Sequence, residues 1–214
     1  MGVTAVAFVI WNGSIVVGDK SAHQACFHAA QLGYFSLFTL SLAVPHLVTL
    51  TKLYRFMSWV LKNKILVILL IIVSCLLVAN FTFEHPYLLA DNRHYTFYIW
   101  SKLFRRFELL RFALIPVYLF AIWSVADSLT HVSSMVLASL ALCVSAAIVP
   151  QRLMEFRYFI IPYLLIRLHI KDECRMRLLA ELTVYLAINA FTFHRFLYKP
   201  IFWPNISDHQ RIMW

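Results

Sequence analysis

Long apolar segments separated by short polar loops dominate the hydropathy pattern of the chain. A helix needs about 20 mostly apolar residues to cross the hydrocarbon core of a bilayer, so this pattern predicts membrane spans. The clearest segment, ILVILLIIVSCLLVANFTF, contains no charged residue. The predicted spans are residues 3–17, 29–50, 65–83, 109–126, 133–149 and 178–198.

Two apolar segments are irregular. Residues 158–170, YFIIPYLLIRLHI, are too short to cross as a straight helix, so they either re-enter the membrane or extend a span that starts in the preceding loop. Residues 3–17 are interrupted by NGS and follow Met1 without a basic region, which does not fit a signal peptide. We expect this first segment to be a span that lacks its beginning.

The polar loops fall into two sets according to the number of spans between them. The first set consists of residues 18–28, 84–106 and 150–158, which we call loops one, two and three. Two predicted spans separate each successive pair, and an even number of crossings returns the chain to the same side. The three loops are therefore expected to lie together. The second set consists of residues 51–64 and 127–132.

The charges in the loops predict an orientation. Residues 51–64 carry four basic residues and no acidic one, and the positive-inside rule makes such a loop cytosolic. Loops one to three then face the lumen of the endoplasmic reticulum or the cell exterior. The three basic residues within 102–106 argue the other way, because they lie beside a span on the predicted lumenal side.

Composition narrows the class of protein. The 214 residues are 62% hydrophobic and 14% charged, with a mean hydropathy of +0.74, which excludes an ordinary soluble domain. The absence of a linker-like segment predicts one all-α, polytopic transmembrane helix bundle over residues 1–214. The net charge of +9 comes from loops beside apolar segments, so membrane lipids or a phosphorylated ligand are expected as partners and nucleic acid is not.

Loop two holds the densest polar chemistry. Asp91, Asn92, Arg93 and His94 are consecutive, and Tyr95 begins an aromatic segment. An arginine can bind phosphate oxygens with two hydrogen bonds, while carboxylate and amide groups suit sugar hydroxyls. The pattern predicts a site for a phosphate and a sugar, with an interfacial aromatic belt as the alternative.

Loop one carries Asp19, Lys20, His23 and His28. On a helix, Asp19 and His23 would share a face, although a helix-capping role for Asp19 is also open. His23 and His28 are five residues apart and diverge, so no metal site is predicted.

Loop three contributes Arg152, Glu155 and Arg157 as candidate binding residues. A purely structural ion pair between Glu155 and a neighbouring arginine is the alternative. Motifs of common hydrolases, nucleotide-binding proteins and zinc proteases are missing, and the four cysteines show no CxxC spacing. No cofactor or metal is therefore predicted.

Four segments taken together resemble one family, the dolichyl-phosphate-glucose-dependent α-1,2-glucosyltransferases of asparagine-linked glycosylation. They are WNGSIVVGDKSAHQACFH, HPYLLADNRHYTFYIW, VPQRLMEFRYFIIPY and WPNISDHQRIMW. The resemblance extends over almost the whole chain but covers only the carboxy-terminal half of the family. Arg152 stands where the family commonly has lysine, which keeps the charge.

The resemblance implies an enzyme of the endoplasmic reticulum membrane with a GT-C-like, multi-pass membrane domain, of which residues 1–214 form the carboxy-terminal portion. Its donor would be dolichyl phosphate glucose, and its acceptor the lipid-linked oligosaccharide that already carries two glucoses. The residues named above in loops one to three would bind these substrates. The acidic catalytic base would lie in the absent amino-terminal half.

Two other functions stay open at this point. A non-catalytic truncated membrane protein could bind or regulate a channel or the intact enzyme, because half of the family's length is missing. A small transporter is weakly suggested by prolines within three predicted helical segments, Pro45, Pro116 and Pro162.

Overall fold

A computed structural model describes residues 2–13, 25–172, 174–203 and 206–212, and within them the fold is helical apart from one hairpin. The helices are α1 (Gly2–Asn12), α2 (Ala30–Leu42), α3 (Val44–Leu47), α4 (Leu50–Lys62), α5 (Lys64–Asn80), α6 (Pro86–Ala90), α7 (Tyr95–Ile99) followed by a π-helical turn (Trp100–Phe104), α8 (Leu110–Ala113), α9 (Ile115–Ser128), α10 (Ser134–Ile148), α11 (Phe156–His169) and α12 (Arg175–Tyr198). Strands β1 (Ile201–Trp203) and β2 (Ile206–Gln210) pair antiparallel.

The centre of the bundle is α2, which packs against α9, α10, α11 and α12. Gly33 of α2 lets helices α2 and α9 approach each other closely, because a Cβ atom at this position would lie only 3.0 Å from the ring of Tyr118 on α9. The aromatic rings of Phe35 and Phe159 meet between α2 and α11. Burial of these rings is the main favourable contribution to packing in this region.

Helices occupy each predicted apolar segment, but their lengths differ. Within the described residues, only Leu110–Ser128 and Arg175–Tyr198 are individually long and apolar enough to cross a membrane. A third span is possible if α4 and α5 are counted as one, although they are bent by 98° at their junction. The helix Ser134–Ile148 is apolar but shorter.

Residues 51–64 were predicted as a polar loop, and this prediction is wrong. They form most of α4, whose first turn is capped by Thr49, the hydroxyl of which accepts a hydrogen bond from the Lys52 amide at 3.2 Å. The predicted span 29–50 is likewise interrupted, since α2 ends at Leu42 and a separate short helix, with Pro45 as its second residue, begins at Val44. Proline cannot donate the backbone hydrogen bond that would continue α2.

The segment around 158–170 runs from one end of the bundle to the other. Helix α11 begins at Phe156, inside loop three, as the second alternative expects, but its 14 residues are not long and apolar enough to count as a span. At its other end Arg167 meets His46 of α3, which follows the far end of α2. Helix α12 then returns, so the β1–β2 hairpin lies beside loop two.

A group of charged side chains, the ionic cluster, attaches α12 to the bundle. It consists of His46, Arg167, Asp172 and Glu181. The two His46 ring nitrogens lie 2.8 Å from Asp172 Oδ2 and 3.1 Å from Glu181 Oε2, and Arg167 donates to both Glu181 oxygens at 2.6 and 2.7 Å. Glu181 is the buried residue of α12, so the ionic cluster is the most buried contact of this helix.

Candidate functional site

The described residues of loops one, two and three converge at one end of the bundle, as the even number of predicted spans between the loops implies. The His28 amide donates to the Val149 carbonyl at 3.0 Å, and the His28 Nε2 atom accepts from the Phe83 amide at 3.3 Å. The Gln31 side chain donates to the carbonyls of Gln151 and Leu153 at 3.1 and 3.3 Å. Residues of α2 and loop one thus tie loop three in place.

His28 is fully buried at this junction. Burial lowers the pKa of its imidazole to about 4, against a smaller opposing effect from the backbone of Arg152 and Gln151. The ring is consequently neutral near pH 7 and can accept the Phe83 hydrogen bond. The geometry makes His28 a structural link between loops rather than a group that faces a cavity.

Loops two and three enclose a polar cavity of about 340 Å³. Its volume lies within the range of about 300–1,000 Å³ that is usual for ligand pockets. Four of the predicted site residues line it, two from each loop. The lining residues are Tyr87, Leu88, Ala90, Asp91, His94, Thr96, Leu153, Glu155, Arg157 and Tyr158.

Asp91 and Arg93 form a tight pair in loop two. The Arg93 Nε atom donates to Asp91 Oδ1 at 2.9 Å and the Nη2 atom donates to Oδ2 at 2.6 Å. Burial acts to raise the pKa of the Asp91 carboxyl, but the hydrogen bonds and charge of Arg93 together lower it below the usual value. The edge of the Arg93 guanidinium that carries Nε and Nη2, which was predicted to face phosphate, therefore faces a carboxylate.

The carboxy-terminal hairpin holds loop two from outside. The Trp203 indole donates to the Asn92 side-chain oxygen at 2.8 Å, and the Arg93 guanidinium lies 5.0 Å from the Trp203 ring centroid. Arg93 also donates to the Gln210 side-chain oxygen at 3.1 Å. Asn92 and Arg93 thus hold the fold of loop two through these contacts.

The ionic groups of loop three are placed differently. The Glu155 side chain is buried and pairs with Arg157, whose side chain is 55% exposed and lines the cavity. The guanidinium of Arg157 also lies 5.5 Å from the ring centroid of Tyr158. Arg152 is exposed and does not line the cavity. Arg157 is accordingly the cation best placed to meet an anion there.

An apolar groove of about 680 Å³ lies beside the polar cavity, between α2, α7, α11 and α12. Tyr95, which was predicted to bind substrate, lines this groove together with other aromatic residues of loop two. The lining residues are Tyr34, Leu37, Phe38, Ser41, Leu42, Tyr95, Tyr98, Ile99, Phe104, Met154, Phe156, Phe159, Ala187, Ile188, Phe191 and Thr192.

One segment forms the wall between the two spaces. Leu153, Glu155 and Arg157 line the polar cavity, whereas the intervening Met154 and Phe156 line the apolar groove. Glu155 is extended, and successive side chains of extended backbone point to opposite faces, whereas Phe156 and Arg157 diverge within the first turn of α11. The wall brings a charged compartment and an apolar one into direct contact.

Several site residues were missed by sequence reasoning, and others cannot be placed. Thr96 and Tyr158 line the polar cavity, and Trp203 and Gln210 support it, although nothing in their local spacing indicates this. All four lie in the segments that carry the family resemblance, which was the only available signal. The predicted residues Asp19, Lys20 and His23 lie outside the described residues. In the described ranges, no group of three or more His, Cys, Asp or Glu residues is arranged to hold a metal ion.

Comparisons with known proteins identify the family of this chain. A sequence model of the DIE2/ALG10 family matches residues 1–168. The Homo sapiens protein named Dol-P-Glc:Glc(2)Man(9)GlcNAc(2)-PP-Dol alpha-1,2-glucosyltransferase is 48% identical over 214 residues, which are 100% of this chain and 45% of the human protein. No solved structure matches.

Proteins with the same name in two other animals also match along almost the whole chain. The Mus musculus protein is 49% identical over 208 residues, covering 97% of this chain and 44% of its own length. The Drosophila melanogaster protein is 39% identical over 210 residues, covering 98% and 46%. The chain thus spans less than half the length of these relatives, and it belongs to the DIE2/ALG10 family.

Proposed function

We propose that this chain forms the carboxy-terminal, GT-C-like part of an α-1,2-glucosyltransferase in the endoplasmic reticulum membrane. The enzyme moves glucose from dolichyl phosphate glucose to the lipid-linked oligosaccharide that carries two glucoses. The names of the relatives supply the donor, the acceptor and the reaction. The observation that carries the proposal is the shared wall between the polar cavity and the apolar groove.

A lipid-borne sugar phosphate requires two unlike environments that adjoin. The isoprenoid chain is apolar and suits the groove, whose lining includes Phe38 and Phe191. The phosphate and the glucose are polar and suit the neighbouring cavity, where Arg157 supplies an exposed cation. The wall formed by residues 153–157 would lie at the junction of chain and headgroup.

The chemistry assigns a role to each charged group of the cavity. Glucose transfer releases a dolichyl phosphate, and a cation near its oxygens stabilises the negative charge that develops. Arg157 is that cation, and Glu155 orients it. Asp91, whose pKa is lowered by Arg93 despite partial burial, stays ionised and can accept hydrogen bonds from sugar hydroxyls. His94, with its Nε2 atom 3.8 Å from Asp91 Oδ2, lies beside it.

The acceptor hydroxyl must transfer its proton to a base, by the general logic of sugar transfer. Family resemblance assigns that base to the amino-terminal half, and none of the residues in the polar cavity is proposed for this role. The proposed contribution of this chain is donor binding and stabilisation of the leaving group.

The test measures conversion of the two-glucose to the three-glucose lipid-linked oligosaccharide in microsomes from cells that lack this activity. The chain is expressed alone and fused after the amino-terminal half of the human relative. We expect Arg157→Gln in the active form to lower the rate by about 100-fold, the usual effect of losing one group that stabilises transition-state charge.

The matched control is Arg106→Gln, which removes an exposed arginine that does not line the polar cavity and should leave the rate unchanged. Equal rates for the two variants would disprove the role of Arg157. Absence of conversion by both the chain and the fusion, with both proteins folded, would instead favour a non-catalytic membrane protein.

A further inference from the structure

Helix α4 has three distinct faces and is oriented unlike its neighbour. Its 13 residues correspond to a length of about 20 Å, at about 1.5 Å per residue, which is too short to cross a bilayer. Its axis is turned by 98° from that of α5, the most apolar segment of the chain. If α5 runs along the membrane normal, α4 lies close to the membrane plane.

The inner face of α4 is fixed against α9. The Phe56 ring centroid lies 5.2 Å from that of Phe120 and 5.3 Å from that of Trp123. The Lys52 ammonium donates to the Ser124 carbonyl at 3.0 Å. These contacts determine the rotation of α4 about its own axis, and hence which residues point outward.

A row of large apolar side chains points away from the bundle. Leu50, Tyr54, Met57 and Leu61 are 86%, 75%, 55% and 62% exposed. Their spacing of four, three and four residues places them on one face of a helix. An exposed apolar row of this kind is typical of helices that lie in the membrane interface.

Cations flank this row. Arg55 and Lys62 follow Thr51 and Ser58 along the adjacent face at helical spacing, and Lys64 lies just beyond at the bend into α5. Arg55 pairs with Asp127 at 2.5 Å, while Lys62 and Lys64 are exposed. Residues 50–64 include no aspartate or glutamate.

We propose that α4 lies in the membrane surface and binds anionic lipid headgroups through Lys62 and Lys64. The apolar row then enters the outer part of the hydrocarbon region, and the cationic face remains at headgroup level. An anionic leaflet is favoured over a second copy of this chain because two copies would bring like charges together. This inference does not depend on the glucosyltransferase reaction.

The depth of α4 is measured with the purified chain in lipid nanodiscs. Single nitroxide labels are attached to Met57→Cys or Lys62→Cys, in a background whose four native cysteines are replaced by serine and whose helicity is verified by circular dichroism. We expect the label at 57 to collide more with oxygen, and the label at 62 more with a water-soluble nickel chelate. Equal accessibility to nickel at both positions would overturn the proposal.

The lipid preference is measured by native mass spectrometry after extraction from mixed phosphatidylcholine and phosphatidylglycerol vesicles. Each cation at an anionic surface contributes about a fivefold preference, so Lys62→Gln/Lys64→Gln should lower the retained phosphatidylglycerol at least fivefold. The control Lys62→Arg/Lys64→Arg keeps the charge and should keep the preference.

Two results of these experiments count against anionic lipid as the occupant. One is an unchanged phosphatidylglycerol preference in the glutamine variant. The other is a dimer in which labels at position 57 of two chains couple magnetically, since this would assign the apolar row to a second copy.

Discussion

The two ends of the bundle both concentrate charge, but they use it differently. In the ionic cluster, His46, Arg167 and Glu181 bond chiefly to one another and are largely removed from solvent. At the three-loop end, Glu155 and Arg157 also pair, yet they line a cavity and Arg157 stays half exposed. The presence of charge in an apolar protein therefore does not by itself identify a binding site. An adjoining cavity and an accessible cation are the features that do.

Removal of Glu181 should destabilise the chain more than any other substitution in this comparison. Its loss leaves the partly exposed Arg167 and the buried His46 without their shared partner, and breaking a buried ion pair costs up to about 3–5 kcal/mol. We expect Glu181→Ala to lower the thermal unfolding midpoint of the chain in detergent by far more than Arg157→Gln does, because Arg157 is half exposed. Similar midpoints for the two variants would show that the ionic cluster does not hold α12.

A second test concerns pH and the buried link at the three-loop end. Since the pKa of His28 is lowered from 6.5 to about 4 in the fold, its contribution to stability is complete above pH 6.5 and is lost as the pH falls toward 4. The shift corresponds to roughly 3 kcal/mol. We expect the free energy of unfolding to decrease between pH 7 and pH 4, as measured by denaturant titration.

The matched variant for the pH test is His28→Gln, which keeps a hydrogen-bond acceptor but cannot be protonated in this range. Its stability should depend less on pH over the same interval. A pH dependence that is identical in the two proteins would mean that other groups control acid unfolding.

A third test concerns the contacts by which the β1–β2 hairpin supports loop two, which should contribute least to stability. Trp203→Ala removes one hydrogen bond and one cation–aromatic contact, together about 1–2 kcal/mol. We expect faster hydrogen exchange at the amides of residues 91–94 and little change around the ionic cluster. Trp203→Phe, which keeps an aromatic ring for Arg93, should show an intermediate rate; uniform exchange in all three proteins would contradict the supporting role.

Parity and hydropathy predict the part of the fold that depends on local composition. Apolar segments became helices, and the described residues of loops one, two and three converge as expected, although not every intervening segment is long enough to be a span. The prediction failed for residues 51–64, because their basic content suggested a loop while their apolar spacing was helical. In this segment the basic residues favoured a loop and the spacing of the apolar residues favoured a helix, and the helix formed.

The candidate site could be predicted only as a set of loops. Nothing in the residues around Arg93 shows that Asp91 occupies its paired edge, or that a tryptophan 110 residues later covers it. The ionic cluster was missed for the same reason, since His46 and its two acidic partners are separated by 126 and 135 positions. Contacts between distant segments depend on the packing of the whole bundle.

The single-residue alternation between Met154 and Glu155 has a mechanical consequence. Their side chains project into opposite compartments from adjacent positions, so a shift of this backbone would move both. If filling one compartment shifts this backbone, thermodynamic reciprocity requires that filling the other shifts the affinity of the first by the same factor. The apolar groove and the polar cavity are thus separated by the thickness of a single segment of backbone.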